Sequence, residues 1–208
     1  MDLKKFEEAF HEHKPVPMNY KGSAAVLVPL VKKDGEYHLL YEVRSENLKY
    51  QPGEICFPGG GTEPGETPEE TALRETEEEL GIPADMVRVI GPMDYIHTYS
   101  NFSMYPVLGE LKPEALGRIC MNEDEVKEWF LVPVSFFVTN PPYVYECDLI
   151  PDIREDFPYE RFGLNGKYNW RKGRNRIPAY QYQEYIIWGL TARITENLAD
   201  FLRPFAGR

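Results

Sequence analysis

Cysteine is scarce in this 208-residue chain, which contains three. Cys56, Cys120 and Cys147 are widely spaced and form no C-x-x-C pair. The sequence therefore predicts neither a disulfide framework nor a zinc site. Unpaired cysteines suit a reducing compartment, and we expect a cytoplasmic location.

Long apolar runs are also missing. No stretch approaches the roughly 20 consecutive apolar residues of a membrane span. The N-terminal segment MDLKKFEEAFHEH lacks the apolar core of a secretion signal. We therefore expect neither membrane insertion nor secretion.

Positive charge is limited as well, since 23 Lys and Arg stand against 34 Asp and Glu and give a net charge of -11 at pH 7. Such a surface repels polyanions, so the composition argues against a nucleic acid or an anionic membrane as a partner. A divalent cation is the more natural counter-charge for this chain.

The length and the order of the predicted elements indicate one domain over residues 1–208. Alternating apolar patterns predict a β-hairpin whose first strand is central, further strands, and a segment that begins as a strand and ends as a helix. The predicted elements are a docking helix with its lead-in (1–22), the hairpin (23–31 and 37–43), two strands (86–96 and 104–111), the strand-to-helix segment (128–138), a strand plus an irregular insertion (152–184) and a last helix (184–205).

The segment FPGGGTEPGETPEETALRETEEELGI (57–82) concentrates glutamate beside glycine. Thr67, Pro68 and Glu70 match a capping box with proline in the first helical position, and Gly81 matches a left-handed helix end. The sequence therefore predicts a helix from Pro68 to Leu80. The glycines of the preceding loop would let its backbone curl tightly and approach a ligand.

One face of this helix is acidic, because Glu75, Glu78 and Glu79 lie three and four residues apart. We expect the three carboxylates to point outward at a common position, where hard oxygen ligands suit Mg²⁺ or Mn²⁺. A solvated acidic face is the alternative. The opposite stripe, which should pack on the sheet, consists of Leu73, Thr76 and Leu80.

Gly60, Glu66 and the segment RETEEELGI (74–82) have the spacing G-x5-E-x7-R-E-U-x-E-E-x-G-U, which resembles the Nudix box. Only Thr76 departs from it, where an aliphatic residue is usual. The resemblance implies the Nudix fold, an α/β structure of the α+β type with a mixed β-sheet sandwiched between helices. It also implies hydrolysis of a nucleoside diphosphate linked to another group.

The same resemblance implies roles for individual residues. Glu75, Glu78 and Glu79 would be the ligands of Mg²⁺ or Mn²⁺, and Arg74 would belong to the catalytic group. An arginine at this position can also pair with Glu66 and hold the loop on the helix.

A carboxylate must accept the proton of the attacking water. Glu78 is one candidate, and the later loop MNEDEV (121–126) supplies others. Glu123, Asp124 and Glu125 are the acidic residues of that loop, and we select Glu125. A polar surface loop without a catalytic role is the alternative.

An upstream segment, LYEVRSENLKYQPGEICFPGG (40–60), resembles the additional motif of the coenzyme A pyrophosphatase branch, L-L-T-x-R-S, three, R, three, G, three, F-P-G-G. Arg44, Gly53 and the residues 57–60 have the expected spacing. Lys49 replaces the second arginine of the motif, while Tyr41 and Glu42 replace a leucine and the threonine. Lysine lacks the bidentate fork of arginine, which weakens a phosphate contact.

This second resemblance implies cleavage of coenzyme A or its derivatives into adenosine 3',5'-bisphosphate and a 4'-phosphopantetheine product. The substrate-binding residues would be Arg44, Lys49, Gly59 and Gly60. A surface ion pair with Glu46 or Glu54 is the alternative role of the two cations. Other readings keep the box but change the substrate to ADP-ribose, NADH or a dinucleotide, or make the chain a non-catalytic module that binds a nucleotide metabolite.

The segment NGKYNWRKGRNRIPAY (165–180) mixes cations with aromatic residues in an otherwise acidic chain. One hypothesis is that the cations contact a 3'-phosphate while an aromatic ring stacks on adenine. The alternatives are a homodimer contact or a solvated loop that pairs with the acidic surface. The cations are Lys167, Arg171, Lys172, Arg174 and Arg176, and the aromatic residues are Tyr168, Trp170 and Tyr180.

Overall fold

The structure, a computed structural model, describes residues 2–165 and 168–205. Within these residues, eight strands form a large mixed sheet, three strands form a small antiparallel sheet, and α-helices flank them. This confirms the predicted α/β architecture. The strands are β1 (Gly22–Lys33), β2 (Glu36–Arg44), β3 (Ile55–Cys56), β4 (Gly59–Gly61), β5 (Val87–Pro92), β6 (Ile96–His97), β7 (Phe102–Leu111), β8 (Val126–Pro133), β9 (Tyr143–Leu149), β10 (Gly173–Tyr182) and β11 (Tyr185–Trp188). The helices are α1 (Leu3–Phe10), α2 (Pro68–Leu80), α3 (Val134–Thr139) and α4 (Gly189–Leu202).

Strand β1 lies at the centre of the large sheet, as its apolar sequence predicts. It pairs antiparallel with β2 and β4 and parallel with β7. The β1–β2 turn places Asp34 and Gly35 at φ 51° and 87°, which a short hairpin turn requires. The predicted hairpin is therefore confirmed, and its tight turn fixes the register of the two strands.

The large sheet is covered on both faces, because successive side chains of a strand point to opposite sides. On one face, Ala25 and Leu27 pack with residues of α2 such as Leu80. On the other face, Tyr41 packs with residues of α4, and its hydroxyl group lies 2.8 Å from Oγ1 of Thr195. The two helices thus pack on opposite faces of one sheet.

The predicted strand-to-helix segment is also confirmed. Strand β8 ends at Pro133 and α3 begins at the next residue. Proline fixes φ near the helical value and has no N–H to donate, so it is tolerated immediately before a helix.

The region after residue 140 differs from the prediction. Strands β9, β10 and β11 form the small sheet, which was not predicted as such, and β10 supplies the strand that was predicted within residues 152–184. The last helix begins at Gly189, not at residue 184, because Tyr185–Trp188 is strand β11. Ile187 is fully buried, so it fits a helical stripe and a strand equally well. A positive φ of 66° at Gly189 marks the change of direction.

Helix α1 exists as predicted but does not dock on the domain. Leu3, Phe6 and Phe10 are 71%, 50% and 66% exposed, and the helix buries none of its residues. Asp2 caps it through a hydrogen bond from the main-chain N–H of Lys4. None of the helices in residues 2–165 and 168–205 has the length and apolar character of a membrane span.

Candidate active site

Local hydrogen bonds define both ends of helix α2. The hydroxyl of Thr67 accepts from the N–H of Glu70, and the carboxylate of Glu70 accepts from the N–H of Thr67 at 2.8 Å. Gly81 ends the helix at φ 67°, in the left-handed region that glycine favours. The predicted capping box and helix end are therefore confirmed, and they fix where the acidic face begins and ends.

Arg74 connects the loop before α2 to the acidic face of the helix. Its Nε and Nη2 donate to the carboxylate of Glu66 at 2.7 and 3.2 Å. Nη2 also donates to the main-chain oxygen of Gly61 at 3.0 Å. Nη1 donates to Glu75 at 2.8 Å and to Glu78 at 3.1 Å. The predicted Arg74–Glu66 pair is confirmed, and the same guanidinium holds two of the predicted metal ligands.

The hydrogen bonds to Glu66 have an electrostatic consequence. Donation by Arg74, followed by the main-chain N–H of Glu63, lowers the pKa of Glu66 to about 2. The acidic partners raise the pKa of Arg74 in turn. This pair is therefore fully charged at any ordinary pH.

The three predicted ligands do not all point outward, which corrects the sequence prediction. The side chain of Glu78 is 55% exposed and that of Glu75 is 15% exposed. Glu79 is 2% exposed and lies on the buried side of α2. The acidic face of α2 is about 100° wide, so Glu79 at its margin can lie against the sheet.

Glycine lets strand β4 approach these carboxylates. The main-chain N–H of Gly59 donates to Oε2 of Glu79 at 2.7 Å. A Cβ on Gly60 would lie 2.5 Å from Cδ of Glu75, closer than atoms pack. Gly60 thus makes room for Glu75, and Gly59 lets β4 lie close to Val26 of β1. The sequence prediction did not include these structural roles.

Four carboxylates influence one another beside β4: Glu42, Glu75, Glu79 and Glu125. Burial, the charge of Glu42 and then the charges of Glu75 and Glu125 raise the pKa of Glu79 to about 9. Burial raises the pKa of Glu42 to about 7, against lowering by the thiol of Cys56 and by Arg44. Burial likewise raises the pKa of Glu75. The cluster has more negative charge than its neighbouring cations neutralise.

The chemistry of these four carboxylates decides whether they suit a divalent cation. Within the described ranges, no group of three or more His, Cys, Asp or Glu side chains is arranged so that it could hold a metal ion. Arg74 draws the carboxylates of Glu75 and Glu78 toward itself. The donor set nevertheless consists of carboxylate oxygens, the ligands that Mg²⁺ and Mn²⁺ prefer. Excess buried negative charge is what a bound cation would neutralise, so the residues fit the group.

Glu42 was not predicted as a site residue. It lies on β2 and is 1% exposed. The signal available in the sequence was its substitution for the threonine of the coenzyme A pyrophosphatase motif. A single carboxylate in an apolar strand has no periodic pattern, so only its proximity to other acidic groups reveals it.

The later acidic loop contributes one residue to the cluster. Glu125 is partly buried, and its carboxylate accepts from Nδ2 of Asn122 at 3.2 Å. Its main-chain oxygen accepts from the N–H of Ser45 at 2.7 Å, which joins this loop to the end of β2. Glu123 and Asp124 are exposed. Glu125 is therefore the acidic residue of the loop that lies near the candidate metal ligands.

The two predicted phosphate-binding cations are not engaged in the ion pairs considered as their alternative. Nε of Arg44 is buried and has no hydrogen-bond partner among residues 2–165 and 168–205. Lys49 is exposed, and its Nζ lies 5.3 Å from the ring centroid of Tyr50. Glu46 instead pairs with Lys127 at 3.1 Å. Lys49 is thus accessible to an anionic ligand, whereas the charge of Arg44 acts on the buried carboxylate of Glu42.

The basic segment 165–180 differs from Arg44 and Lys49, because two of its arginines form ion pairs with glutamates. Arg174 pairs with Glu146 at 3.5 Å, and Arg176 forms two hydrogen bonds with Glu196 at 2.8 and 3.0 Å. Tyr168 and Trp170 contact each other edge to face at 4.8 Å between ring centroids. Pairing with the acidic surface therefore accounts for both arginines. Lys167 lies outside the described residues.

The capped acidic helix, the glycine-rich loop and the mixed sheet together define a Nudix domain. In agreement, the NUDIX domain family matches residues 21–144, more than half of the chain. The chain belongs to the NUDIX family. The small sheet from Tyr145 onward and helix α4 lie beyond the matched region.

Curated relatives are similar over most of the chain. Nudix hydrolase 3 of Caenorhabditis elegans is 42% identical over 86% of this chain and 73% of its own length. Peroxisomal coenzyme A diphosphatase NUDT7 of Mus musculus is 39% identical over 84% of this chain and 68% of its own length. Nudix hydrolase NudL of Yersinia enterocolitica is 34% identical over 95% of this chain and 92% of its own length.

Proposed function

We propose that this protein is a Mg²⁺- or Mn²⁺-dependent diphosphatase that cleaves coenzyme A or its derivatives. The products are adenosine 3',5'-bisphosphate and a 4'-phosphopantetheine compound. The observation that carries the proposal is the cluster of buried carboxylates beside Gly59 and Gly60. The similarity to a coenzyme A diphosphatase of mouse supports the choice of substrate.

The protein's own residues supply positioning and proton transfer in this proposal. Glu75, Glu78 and Glu79 would hold the cation, which supplies charge neutralisation at the diphosphate and activates a water when it is bound. Arg74 orients Glu75 and Glu78 through its Nη1 hydrogen bonds. The main-chain N–H of Gly59 binds Glu79, and the absence of a side chain at Gly60 leaves room for Glu75.

A base is needed to accept the proton of the attacking water. Glu78 is the most exposed of the three box glutamates, so its carboxylate can reach a solvent molecule. Glu125 lies near the same carboxylates and is the second candidate. Arg44 and Lys49 would bind phosphate oxygens of the substrate, the first as a bidentate donor.

A panel of substrates tests the proposal. Coenzyme A, an acyl derivative, ADP-ribose, NADH and a diadenosine polyphosphate are each incubated with Mg²⁺ or Mn²⁺, and the products are identified by mass. We expect coenzyme A compounds to be cleaved fastest. Much faster cleavage of ADP-ribose would contradict the substrate assignment, and no cleavage of any compound would favour a nucleotide-binding module.

A pair of variants on α2 gives the matched control. Glu78→Gln removes a proposed ligand, whereas Glu77→Gln removes the same charge from an exposed neighbour. Activity should fall by at least about 100-fold in the first variant and be retained in the second, since a metal-bound centre depends on each carboxylate ligand. Equal activity in the two variants would contradict the role given to Glu78.

The compartment and assembly are part of the same proposal. Cys56, Cys120 and Cys147 are free thiols, which suits the cytoplasm that we expect. A homodimer is the assembly that would use an exposed segment such as residues 168–172. Fractionation of cells that express the tagged chain and light scattering of the purified protein measure the two properties.

A further inference from the structure

The carboxylate of Glu42 is buried, and only one of its two oxygens has a hydrogen-bond partner among the described residues. Glu42 is 1% exposed, and its Oε1 accepts a hydrogen bond from the thiol of Cys56 at 3.2 Å. Burial raises the pKa of Cys56 well above its usual value, so the thiol stays protonated and remains a donor. Oε2 of Glu42 has no hydrogen-bond partner in the part of the chain that the structure describes. An unpaired buried carboxylate oxygen is costly, so a partner is expected there.

The direction of Glu42 follows from the alternation of strand β2. Tyr41 contacts the core on the side of α4. The next side chain of a strand points to the opposite face, so Glu42 faces the side on which α2 packs. Glu79 of α2 is buried on that side, and the charge of Glu42 is the largest electrostatic cause of its raised pKa.

The neighbours of Glu42 are also predominantly acidic. Burial is the main cause of the raised pKa of Glu42, the thiol of Cys56 and the charge of Arg44 lower this pKa, and the charges of Glu125 and Glu75 raise it by a smaller amount each. Buried like charges in this arrangement require a proton or a cation.

We propose that Glu42 is a fourth carboxylate of the divalent-cation site, where its free Oε2 serves as an oxygen donor beside Glu75, Glu78 and Glu79. Hard divalent cations prefer such donors, and each added carboxylate strengthens their binding. The inference rests on the proposed function, because it concerns the same cation. It assigns this chain a ligand that the threonine of the coenzyme A pyrophosphatase motif would not supply.

Direct binding of Mn²⁺ tests this inference without any substrate. The free ion is followed by electron paramagnetic resonance during titration of wild-type protein, Glu42→Gln and Glu77→Gln. Glutamine keeps the size of the side chain and an acceptor for the thiol of Cys56. We expect Glu42→Gln to bind Mn²⁺ at least about 10- to 100-fold more weakly, because the loss of a residue that only supports a metal ligand already costs this much. Glu77→Gln, which removes the same charge from an exposed position, should bind as the wild type does.

Thermal unfolding in the presence of EDTA adds a second readout. Removing one of several crowded carboxylates relieves repulsion, so Glu42→Gln should unfold at the same or a higher temperature than the wild type without metal. Mn²⁺ should then raise the midpoint less in Glu42→Gln than in the wild type, because at a given concentration a more weakly bound ligand stabilises the folded state less. A purely structural role would instead lower the midpoint in EDTA and leave the shift by Mn²⁺ unchanged.

Unchanged Mn²⁺ affinity in Glu42→Gln would overturn the inference. Should that variant fail to fold, Glu42→Thr replaces it, since threonine is the residue of the coenzyme A pyrophosphatase motif at this position. Glu79→Gln serves as the positive control and should lose affinity. Failure to hydrolyse coenzyme A would count against the proposed function alone, because Mn²⁺ binding is measured independently of hydrolysis.

Discussion

The main-chain N–H of Gly59 donates a 2.7 Å hydrogen bond to the buried carboxylate of Glu79. This bond joins strand β4 to helix α2. A Cβ on Gly59 would lie 2.6 Å from Cα of Val26, so the strand can take this position only because the residue is glycine. The loop that we propose to contact the substrate is thereby fixed relative to a proposed metal ligand.

Replacement of the next glycine should impair catalysis. A Cβ in Gly60→Ala would lie 2.5 Å from Cδ of Glu75 and force that carboxylate to move. We expect kcat for coenzyme A to fall by about 100-fold, the usual cost of misplacing a catalytic group by about 1 Å. Gly61→Ala is the matched control, because its Cβ would meet no atom within 4 Å. Equal kcat in the two variants would show that Glu75 tolerates displacement.

The hairpin and the capped helix could be predicted because their signals are local. Asp34 and Gly35 form the turn, and Thr67 with Glu70 forms the capping box, each within a few residues. The burial of Glu79 could not be predicted in this way. It depends on the approach of Gly59 from another strand, which the helical period of α2 does not contain.

The small sheet shows a second limit of the sequence. Strand β9 exposes nearly all of its residues, so it lacks the alternation of apolar and polar residues that marks a half-buried strand. Ile187 fits the apolar stripe of α4, so the predicted helix began too early and included the residues of strand β11. Pairing with β10 decides that it is a strand, and this pairing has no local signal.

Arg74→Lys should destabilise the protein. Lysine can replace the charge but not the separate hydrogen bonds to Glu66, Gly61 and Glu75. We expect the free energy of unfolding to fall by about 1–3 kcal/mol, measured by urea denaturation at pH 7. Arg88→Lys is the control, because Arg88 pairs with Glu110 at an exposed site and should change the value by less than about 0.5 kcal/mol. A similar loss in both variants would contradict a special role of Arg74.

The contribution of Glu66 should depend on pH in a defined direction. Hydrogen bonds from Arg74 lower its pKa from the usual 4.5 to about 2 in the folded protein. A lowered pKa stabilises the folded state at pH values above 4.5, and this contribution is lost as the pH falls toward 2. The difference in unfolding free energy between wild type and Glu66→Gln should therefore be largest near pH 7 and shrink between pH 4.5 and 2. Urea denaturation at a series of pH values measures it, and a constant difference would contradict the assignment.

Substitutions at Lys49 test whether its charge and its hydrogen-bonding geometry contribute to phosphate binding. It is exposed and has no ion pair within the described ranges, so its Nζ is available to a substrate phosphate. Lys49→Ala should raise KM for coenzyme A by about tenfold or more with kcat retained, since a hydrogen bond to a charged group contributes about 1.5–3 kcal/mol. Lys49→Arg should lower KM below the wild-type value, because the guanidinium binds phosphate through two donors. Lys33→Arg, at the exposed end of β1, should leave KM unchanged. Identical KM values in all four proteins would exclude a phosphate contact at position 49 and leave Arg44 as the cation of the motif that binds substrate.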